Sequence, residues 1–379
     1  MGIGMAERTT PPFRADHVGS LLRPGSLLRA RAGYGRGEVS AGELRAAEDD
    51  AIRGAVALQE DAGLALATDG EFRRESWNMD FLFELGGVSR DKQDRPVDWH
   101  SGDSTLHAEF PALQVDGRIH LDHTIFGDHF TFLQSVTGAA LPKISIPSPN
   151  MLRSLQRDMD ELGIGQYSDL AEFWSDIAAA YQAEIRALHA LGCQYLQLDD
   201  TSFAMFSDPH RREVIREQGG DPDRAHLAHI ETMNAALAGR PAGLVITTHT
   251  CRGNFRSRWT AEGSYDLVAE ALFSELDVDG FFLEYDDERS GGFEPLRFVP
   301  KGKVVVLGLV TTKTPELESP DSLKRRIDEA AKFLDLDQLA ISPQCGFASR
   351  VEGNELSIDD ERAKLRLVVD TAADVWGGS

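Results

Sequence analysis

The 379-residue chain carries 62 acidic and 39 basic side chains, which gives a formal net charge of −23 at pH 7. Such acidity argues against nucleic acid and anionic membrane surfaces as partners, because both are polyanions. The sequence has no apolar run long enough to cross a bilayer, and its start has no signal-peptide core. Its three cysteines do not suggest a disulfide framework and favour a cytoplasmic protein with reduced thiols.

Eight short apolar runs, each followed by a polar or glycine-containing segment, are typical of buried strands. They occupy residues 15–20, 64–71, 143–148, 195–200, 244–251, 280–286, 303–310 and 339–346. Amphipathic segments predict helices at residues 43–62, 169–191, 225–237, 265–276, 320–334 and 357–376, with Ser357 as the N-cap of the last. This alternation predicts an α/β fold, and eight parallel strands predict a (β/α)8 TIM barrel. An open doubly wound sheet is the alternative, disfavoured because no G-x-G-x-x-G segment follows the first strand.

Residues 85–136, between the second and third predicted strands, are too many for a plain connection. Their alternating polar and apolar side chains predict a hairpin-like insertion. We therefore expect residues 1–379 to form a single barrel domain that carries this insertion.

The active sites of (β/α)8 barrels lie at the C-terminal ends of the strands. In this sequence those positions hold Ser20, Glu71, Asp199, Asp200, His249, Cys251, Glu284 and Cys345. Nearly all of them are nucleophilic, acidic or metal-binding, although the strands are identified from apolar residues alone. The sequence therefore predicts an active site at this end of the barrel.

Four of these residues predict a metal site. His249 and Cys251 are two positions apart on one strand end, so both side chains can face one ion. Together with Glu284 and Cys345 they form a tetrahedral set of one imidazole, two thiolates and one carboxylate, which suits Zn²⁺. The alternative is two buried structural cysteines beside a hydrogen-bonded histidine.

Other residues suit an amino-acid thiol as the substrate. A zinc ion keeps a thiol deprotonated and nucleophilic. Glu71 and Asp199 could hold an ammonium group, the alternative being solvated or helix-capping carboxylates. The turn at Gly19 and Ser20 offers backbone N–H groups and a hydroxyl to a carboxylate.

Three candidates receive a structural interpretation instead. Cys193 lies at the opposite end of its strand, so we expect a buried thiol without a chemical role. His226 and His229 are three residues apart on a predicted helix, and we expect them on its solvated face.

Seven segments together resemble the cobalamin-independent methionine synthase superfamily, most closely its short single-barrel members. They are DHVGSLLRP, ATDGEFRRESW, QLDD, THTCRGNF, FFLEYDDERSGGFEPLRFVP, GLVTTK and SPQCGF. The family has a zinc-bearing (β/α)8 barrel that methylates the thiol of homocysteine. The resemblance implies that His249, Cys251, Glu284 and Cys345 bind zinc, that Val18, Gly19 and Ser20 meet the homocysteine carboxylate, and that Glu71 and Asp199 are the family's site carboxylates.

The part of the site that serves the methyl donor departs from the family pattern. The family's D-I-H-S stretch, whose histidine protonates the leaving group, reads LGLVTTK here. Lys313 stands in this stretch, but an exposed lysine is a weak acid near neutral pH. The W-S signature is replaced by SIPSPNML, Q-[IV]-D-E-P reads QLDDTS, and the length leaves no room for the second barrel that helps bind folate.

Three functions are therefore open. The first is a zinc-dependent methyltransferase acting on homocysteine or a related thiol, with a methyl-corrinoid protein, a small methyl compound or a folate as donor. The second is thiol alkylation like that of the epoxyalkane–coenzyme M transferases, which need cationic groups for a sulfonate. The third is a non-catalytic zinc-binding barrel. The retained Glu71 and Asp199 favour an aminothiol and hence the first function.

Overall fold

A computed structural model describes residues 8–154, 167 and 169–378. The strands are β1 (Leu66–Ala67), β2 (Gly86–Arg90), β3 (Arg95–Ser101), β4 (Ser104–Phe110), β5 (Leu113–His120), β6 (Leu141–Pro147), β7 (Tyr195–Asp199), β8 (Val245–Thr250), β9 (Gly280–Glu284), β10 (Val304–Val310) and β11 (Leu339–Pro343). The α-helices are α1 (Gly25–Gly35), α2 (Ala41–Ala62), α3 (Met79–Leu82), α4 (Gly127–Val136), α5 (Asn150–Ser154), α6 (Leu170–Ala190), α7 (Ser202–Met205), α8 (Pro209–Glu217), α9 (Ala225–Leu237), α10 (Ala269–Glu275), α11 (Pro320–Ala330) and α12 (Ile358–Trp376).

Seven strands form one parallel sheet in the order β1-β6-β7-β8-β9-β10-β11. Its long strands are almost entirely buried, which is the pattern of a parallel sheet covered on both faces. The sheet is curled, with helices following its strands, so the predicted α/β fold of the TIM-barrel type is confirmed.

The first predicted strand, residues 15–20, joins this sheet by only one bridge, between Ala15 and Ile341 of β11. Its carbonyl groups accept side-chain hydrogen bonds instead: His17 O from Lys143, Val18 O from Gln197 and Gly19 O from Thr68. The segment is therefore held mainly by side-chain hydrogen bonds rather than by a regular ladder. Leu21 N–H donates to Gly70 O at 3.1 Å just after β1, so the segment connects β11 to β1 mainly through such contacts.

The insertion at residues 85–136 contains two antiparallel pairs, β2 with β5 and β3 with β4, followed by α4. The β3–β4 hairpin also contacts the loop after β8, where His100 and Trp259 exchange two backbone hydrogen bonds of 2.7 and 3.1 Å. The hairpin therefore lies beside the segment that follows Cys251. The treatment of residues 1–379 as one domain stays a prediction.

The helices begin close to their predicted positions. Ser357 caps α12 and forms a capping box with Asp360, as the sequence indicated, and Ser40 does the same for α2 with Glu43. The helix predicted at residues 265–276 is instead a 3-10 turn, Tyr265–Leu267, followed by the shorter α10. Within the described ranges, no helix combines the length and the apolar character needed to span a membrane.

Candidate functional site

A cavity of about 420 Å³ lies at the carboxyl ends of the sheet strands, and its volume is typical of a small-molecule site. Its wall includes most of the strand-end residues singled out from the sequence: Val18, Ser20, Glu71, Asp199, Asp200, His249, Cys251 and Cys345. The parallel register explains part of this convergence, because Asp199 of β7 pairs with His249 of β8.

Three of the four predicted metal ligands lie together. His249, Cys251 and Cys345 offer ligand atoms that all lie within 4.8 Å of one another, and all three side chains are buried. Neither ring nitrogen of His249 makes a hydrogen bond of good geometry among the described residues, and the side chain that interacts with the ring most strongly is that of Cys251. A buried imidazole without a good hydrogen bond is unfavourable unless another group satisfies it, and one imidazole with two thiols suits Zn²⁺. These residues therefore fit a zinc ion.

The two thiols of this group differ in acidity. The hydrogen bond from Cys345 lowers the pKa of Cys251, and His249 lowers it further, although burial opposes both effects. The same hydrogen bond, together with burial, raises the pKa of Cys345. Cys251 is therefore the thiol that ionises first, and the thiolate is the form that binds a metal.

Glu284, the fourth predicted ligand, does not lie within the same 4.8 Å of the other three. It ends β9, and its Oε2 accepts a hydrogen bond from the backbone N–H of Arg252 at 2.8 Å. Its Oε1 lies 3.4 Å from Arg289 and 3.5 Å from the Lys313 ammonium. Burial alone would raise the pKa of Glu284, but these cations hold it below its usual value. Its role as a metal ligand stays a prediction.

Two carboxyl groups make one part of the cavity wall acidic. Glu71 has a φ of 61°, an uncommon conformation for this residue, and its Oε1 accepts a hydrogen bond from Ser145 Oγ at 3.2 Å. Burial raises the pKa of Glu71 to about 7, against the opposing effect of Arg74. Burial also raises the pKa of Asp199 to about 6, against the effect of His249. Such groups favour a cationic ligand, because a cation would compensate their buried charge.

The Val18–Gly19–Ser20 turn is packed against the loop that carries Cys345. Gly19 has a φ of 147°, which favours glycine. The Ser20 hydroxyl accepts a hydrogen bond from the backbone N–H of Ala348 at 3.4 Å and would lie 1.9 Å from a Cβ at position 346. A side chain at position 346 would therefore displace the Ser20 hydroxyl, so the turn lies directly against the residue that follows Cys345.

Asp200 has a structural role in this arrangement. Its carboxylate accepts hydrogen bonds from Ser148, Asn150 and Ser202 at 2.5 to 2.8 Å. It therefore ties the end of β7 to the segments that follow β6 and β7. Cys193 is also buried, and burial raises its pKa to about 12, in agreement with the inert role expected for it.

The expectation that His226 and His229 lie on a solvated helix face is wrong. Both side chains are buried, because α9 is covered by α6, α7 and α10. His229 lines the cavity, and its Nδ1 lies 2.8 Å from Ser202 Oγ. Lys313 is buried too, so its description as an exposed lysine does not apply.

The outer wall of the cavity comes from residues that the sequence analysis did not assign to the site. Arg95, Val97 and Trp99 of β3 line it, and Trp99 packs against Phe110 and Phe255 with ring centroids 5.5 and 5.3 Å away. Alternate residues of a strand share one face, so this mixed aromatic and cationic face was visible in the sequence. Nothing in the sequence indicated which loops the hairpin would cover.

Comparison with known proteins identifies the family. A sequence profile of the cobalamin-independent synthase catalytic domain matches residues 163–374. The chain belongs to the cobalamin-independent methionine synthase family. The resemblance inferred from its motifs is thereby confirmed, and the chain is an enzyme of this methyltransferase family.

Relatives extend the family match into the N-terminal part of the barrel. YxjH of Bacillus subtilis, an uncharacterised protein, is 48% identical over 96% of this chain and 95% of its own length. A methionine synthase of Pyrococcus abyssi is 24% identical over 89% of this chain and 86% of its own length. A Listeria monocytogenes protein of known crystal structure, described as a putative vitamin-B12-independent methionine synthase, is 36% identical in sequence. The two structures match over 97% of this chain and 99% of the other, with a TM-score of 0.75.

Proposed function

We propose that this enzyme transfers a methyl group to the thiol of homocysteine or a closely related aminothiol and uses a zinc ion. The observation that carries the proposal is the presence of two kinds of binding group in one cavity. His249, Cys251 and Cys345 form a soft metal-ligand group, and Glu71 and Asp199 are buried carboxyl groups. The first group suits a thiol and the second suits an ammonium, and an aminothiol carries both.

His249, Cys251 and Cys345 would hold the metal, with Glu284 as the predicted fourth ligand. A zinc ion bound there would keep the acceptor sulfur deprotonated and therefore nucleophilic near neutral pH. The burial of these side chains would exclude bulk water from the reacting sulfur.

The remaining residues would orient the acceptor. Glu71 and Asp199 would bind its ammonium group, and the turn at Val18, Gly19 and Ser20 would bind its carboxylate through N–H groups and the serine hydroxyl. An acceptor held at its sulfur, nitrogen and carboxylate keeps one orientation of the sulfur lone pair. Such positioning is a large part of the catalysis of a group transfer.

In the transfer itself, a bond forms between sulfur and the methyl carbon while the bond between that carbon and the donor breaks. The bonding electrons leave with the donor. We place the donor in the outer part of the cavity, next to Trp99, Phe110 and Phe255. A small methyl compound, a folate and a methyl-corrinoid protein can each lose a methyl group in this way. With a small methyl compound or a folate as donor, the acceptor and the donor would both be small molecules.

A second candidate is the alkylation of a sulfonate thiol, as in the epoxyalkane–coenzyme M transferases. One observation favours it, because Arg95, Arg211 and Arg350 line the cavity and guanidinium groups bind tetrahedral oxyanions well. The carboxyl groups of Glu71 and Asp199 argue against it, because they would repel a sulfonate placed beside them.

The test is to load the protein with zinc and add either homocysteine or 2-sulfanylethanesulfonate. X-ray absorption should show one additional sulfur on the metal with homocysteine, and about one proton should be released near neutral pH, because only the thiolate binds. Methionine formation from added donors, followed by mass spectrometry, then tests the transfer. Failure of every aminothiol to add a sulfur would refute the proposal, and a response to the sulfonate thiol alone would favour the second candidate.

A further inference from the structure

We propose that Lys313 is a positioning residue that competes with the metal for Glu284. It offers the Glu284 carboxylate a partner outside the group formed by His249, Cys251 and Cys345, so that the acceptor thiol can take the fourth position on the metal. This inference rests on the proposed function, since it concerns the same metal and the same thiol, but it assigns a task to a residue outside the cavity.

The first observation is the environment of the Lys313 side chain. Its side chain is 6% exposed, and its Nζ lies 3.5 Å from Glu284 Oε1 and 3.7 Å from Asp286 Oδ2. Within the described part of the chain, Nζ makes no hydrogen bond. A buried ammonium needs nearby negative charge, and here it is held by electrostatic attraction at distances longer than a good hydrogen bond. The Glu284 carboxylate can therefore leave this contact without breaking a short hydrogen bond.

The second observation is how the Lys313 backbone is held. The N–H and hydroxyl of Thr312 donate to Gln344 Oε1 at 2.9 and 2.6 Å, and Asn354 Nδ2 donates to Thr312 O at 2.8 Å. Gln344 directly precedes Cys345. The loop that carries Lys313 is thus tied to the loop that carries a predicted metal ligand, which keeps the ammonium at a constant place beside the metal-ligand group.

The third observation concerns which residues reach the substrate. His249, Cys251 and Cys345 line the cavity, whereas Glu284 and Lys313 are absent from its described lining. Lys313 therefore contacts Glu284 from outside the described cavity wall. From there it is badly placed to donate a proton to a substrate, but well placed to act on Glu284.

The last step is the electrostatic balance at Glu284. Its Oε2 is held by the backbone N–H of Arg252, which follows Cys251, while Oε1 faces Lys313 and Arg289. A carboxylate that leaves a metal inside a protein is strongly unfavourable unless a cation receives it. Arg289 is already paired with Asp287 at 2.6 Å, so Lys313 supplies the less committed of the two cations. The tether to Arg252 keeps the displaced carboxylate close enough to return.

Cobalt(II) in place of zinc gives a direct readout, because its visible spectrum changes with its ligands. In Lys313→Met, Glu284 loses one of the two cations that face its Oε1, so only Arg289 still competes with the metal and the carboxylate should stay on the metal more of the time. We expect cobalt to bind about tenfold more tightly in chelator competition, and homocysteine to bind about tenfold more weakly, which is an ordinary coupling within one ion-pair network. Lys313→Arg keeps the charge and should restore both values to within about threefold of the wild type.

Two further comparisons make the test specific. In a Glu284→Gln background, Lys313→Met should no longer alter the homocysteine affinity, because the competing carboxylate is gone. Lys303→Met is the control for the loss of a lysine charge: Lys303 precedes β10 at the opposite end of that strand from Lys313, its Nζ donates to the backbone oxygens of Phe273 and Leu276, and its replacement should change neither affinity. Circular dichroism checks folding, and Lys313→Gln replaces Lys313→Met if the latter does not fold.

The outcomes separate this inference from the proposed function. If the wild-type protein binds no metal, or its metal gains no sulfur from homocysteine, the proposed function fails and this inference fails with it. If the wild type behaves as proposed but Lys313→Met matches it in both affinities and in its cobalt spectrum, only the inference is overturned. It is also overturned if the effect of Lys313→Met persists in the Glu284→Gln background.

Discussion

The carboxyl group of Glu71 predicts a pH dependence that distinguishes aminothiols from other thiols. Burial raises its pKa to about 7, and its Oε2 has no hydrogen-bond partner among the described residues. An ammonium group binds the ionised carboxylate, so aminothiol affinity should rise as the pH rises through 7. Bound ammonium would in turn lower the pKa of Glu71, because it stabilises the charged form.

The size of the effect follows from the ionised fraction. With a pKa of about 7, Glu71 is roughly one-eleventh ionised at pH 6 and ten-elevenths ionised at pH 8, which is about a tenfold difference in affinity. The ionisation of Asp199, whose pKa is about 6, adds at most about twofold over the same range. Replacing Glu71 by Gln should remove the tenfold change and weaken aminothiol binding at pH 8 by about 2–3 kcal/mol, the scale of a lost charge-assisted contact.

The assay is titration calorimetry of the zinc-loaded protein with homocysteine and with 4-sulfanylbutanoate, which lacks the amino group. Both compounds lose a thiol proton on binding, so the ratio of their affinities isolates the contribution of the ammonium. In the wild type this ratio should rise at least about tenfold from pH 6 to pH 8, and in Glu71→Gln it should rise by no more than the roughly twofold that Asp199 contributes. A ratio near one at pH 8, or an equal pH response in the variant, would show that Glu71 does not bind the ammonium.

The metal group, the stability of the fold and the methyl donor each provide one more expectation. Cys251→Ala and Cys345→Ala should lose zinc and activity together, as measured by metal analysis, whereas Cys193→Ala should retain full zinc; full zinc in the first two would remove them from the ligand set. The pKa of Glu71 is higher in the folded protein than in the unfolded chain, so its contribution to stability falls as the pH rises from 4.5 to 7. Glu71→Gln should therefore raise the free energy of unfolding, measured in urea titrations, by about 3 kcal/mol at pH 8 and by less at pH 5. Methylcobalamin should methylate homocysteine faster than methyltetrahydrofolate does, and comparable turnover with the folate would contradict this.

The residues at the strand ends could be predicted to meet because the topology of a parallel barrel, and not the packing of individual side chains, brings them together. Apolar runs locate the strands of a parallel barrel, and the residues after them must meet at one end. Glu71, Asp199, His249, Cys251 and Cys345 therefore reach one cavity, as expected from the sequence. The same apolar pattern also predicts a strand at residues 15–20, but it cannot reveal that side chains from three neighbouring segments donate hydrogen bonds to the carbonyl groups of that segment.

Residues whose positions depend on packing between distant segments were not predictable. The spacing of apolar residues in α9 predicts a helix, but it does not show that other helices cover the face that carries His226 and His229. Likewise, the charge of Lys313 suggested an exposed side chain, because the carboxylates that surround it come from the neighbouring strand end. The insertion could be predicted as a hairpin from its alternation, but its contact with Trp259 depends on where the loop after β8 lies.

The donor prediction depends on which group can protonate a departing nitrogen. A folate leaves through nitrogen and needs a proton as the methyl group departs, whereas a cobalt centre leaves with the bonding electrons and needs none. Lys313 stands in the stretch that holds a histidine in the family, but it lies outside the described cavity wall. Burial would lower the pKa of Lys313, but Asp286 and Glu284 outweigh burial and raise it, which makes the ammonium a weaker acid. His229, by contrast, lines the cavity. If the folate proves to be a donor after all, His229→Asn should slow its turnover about 100-fold and leave methylcobalamin turnover unchanged, whereas equal slowing with both donors would assign His229 to the structure of the cavity rather than to the chemistry.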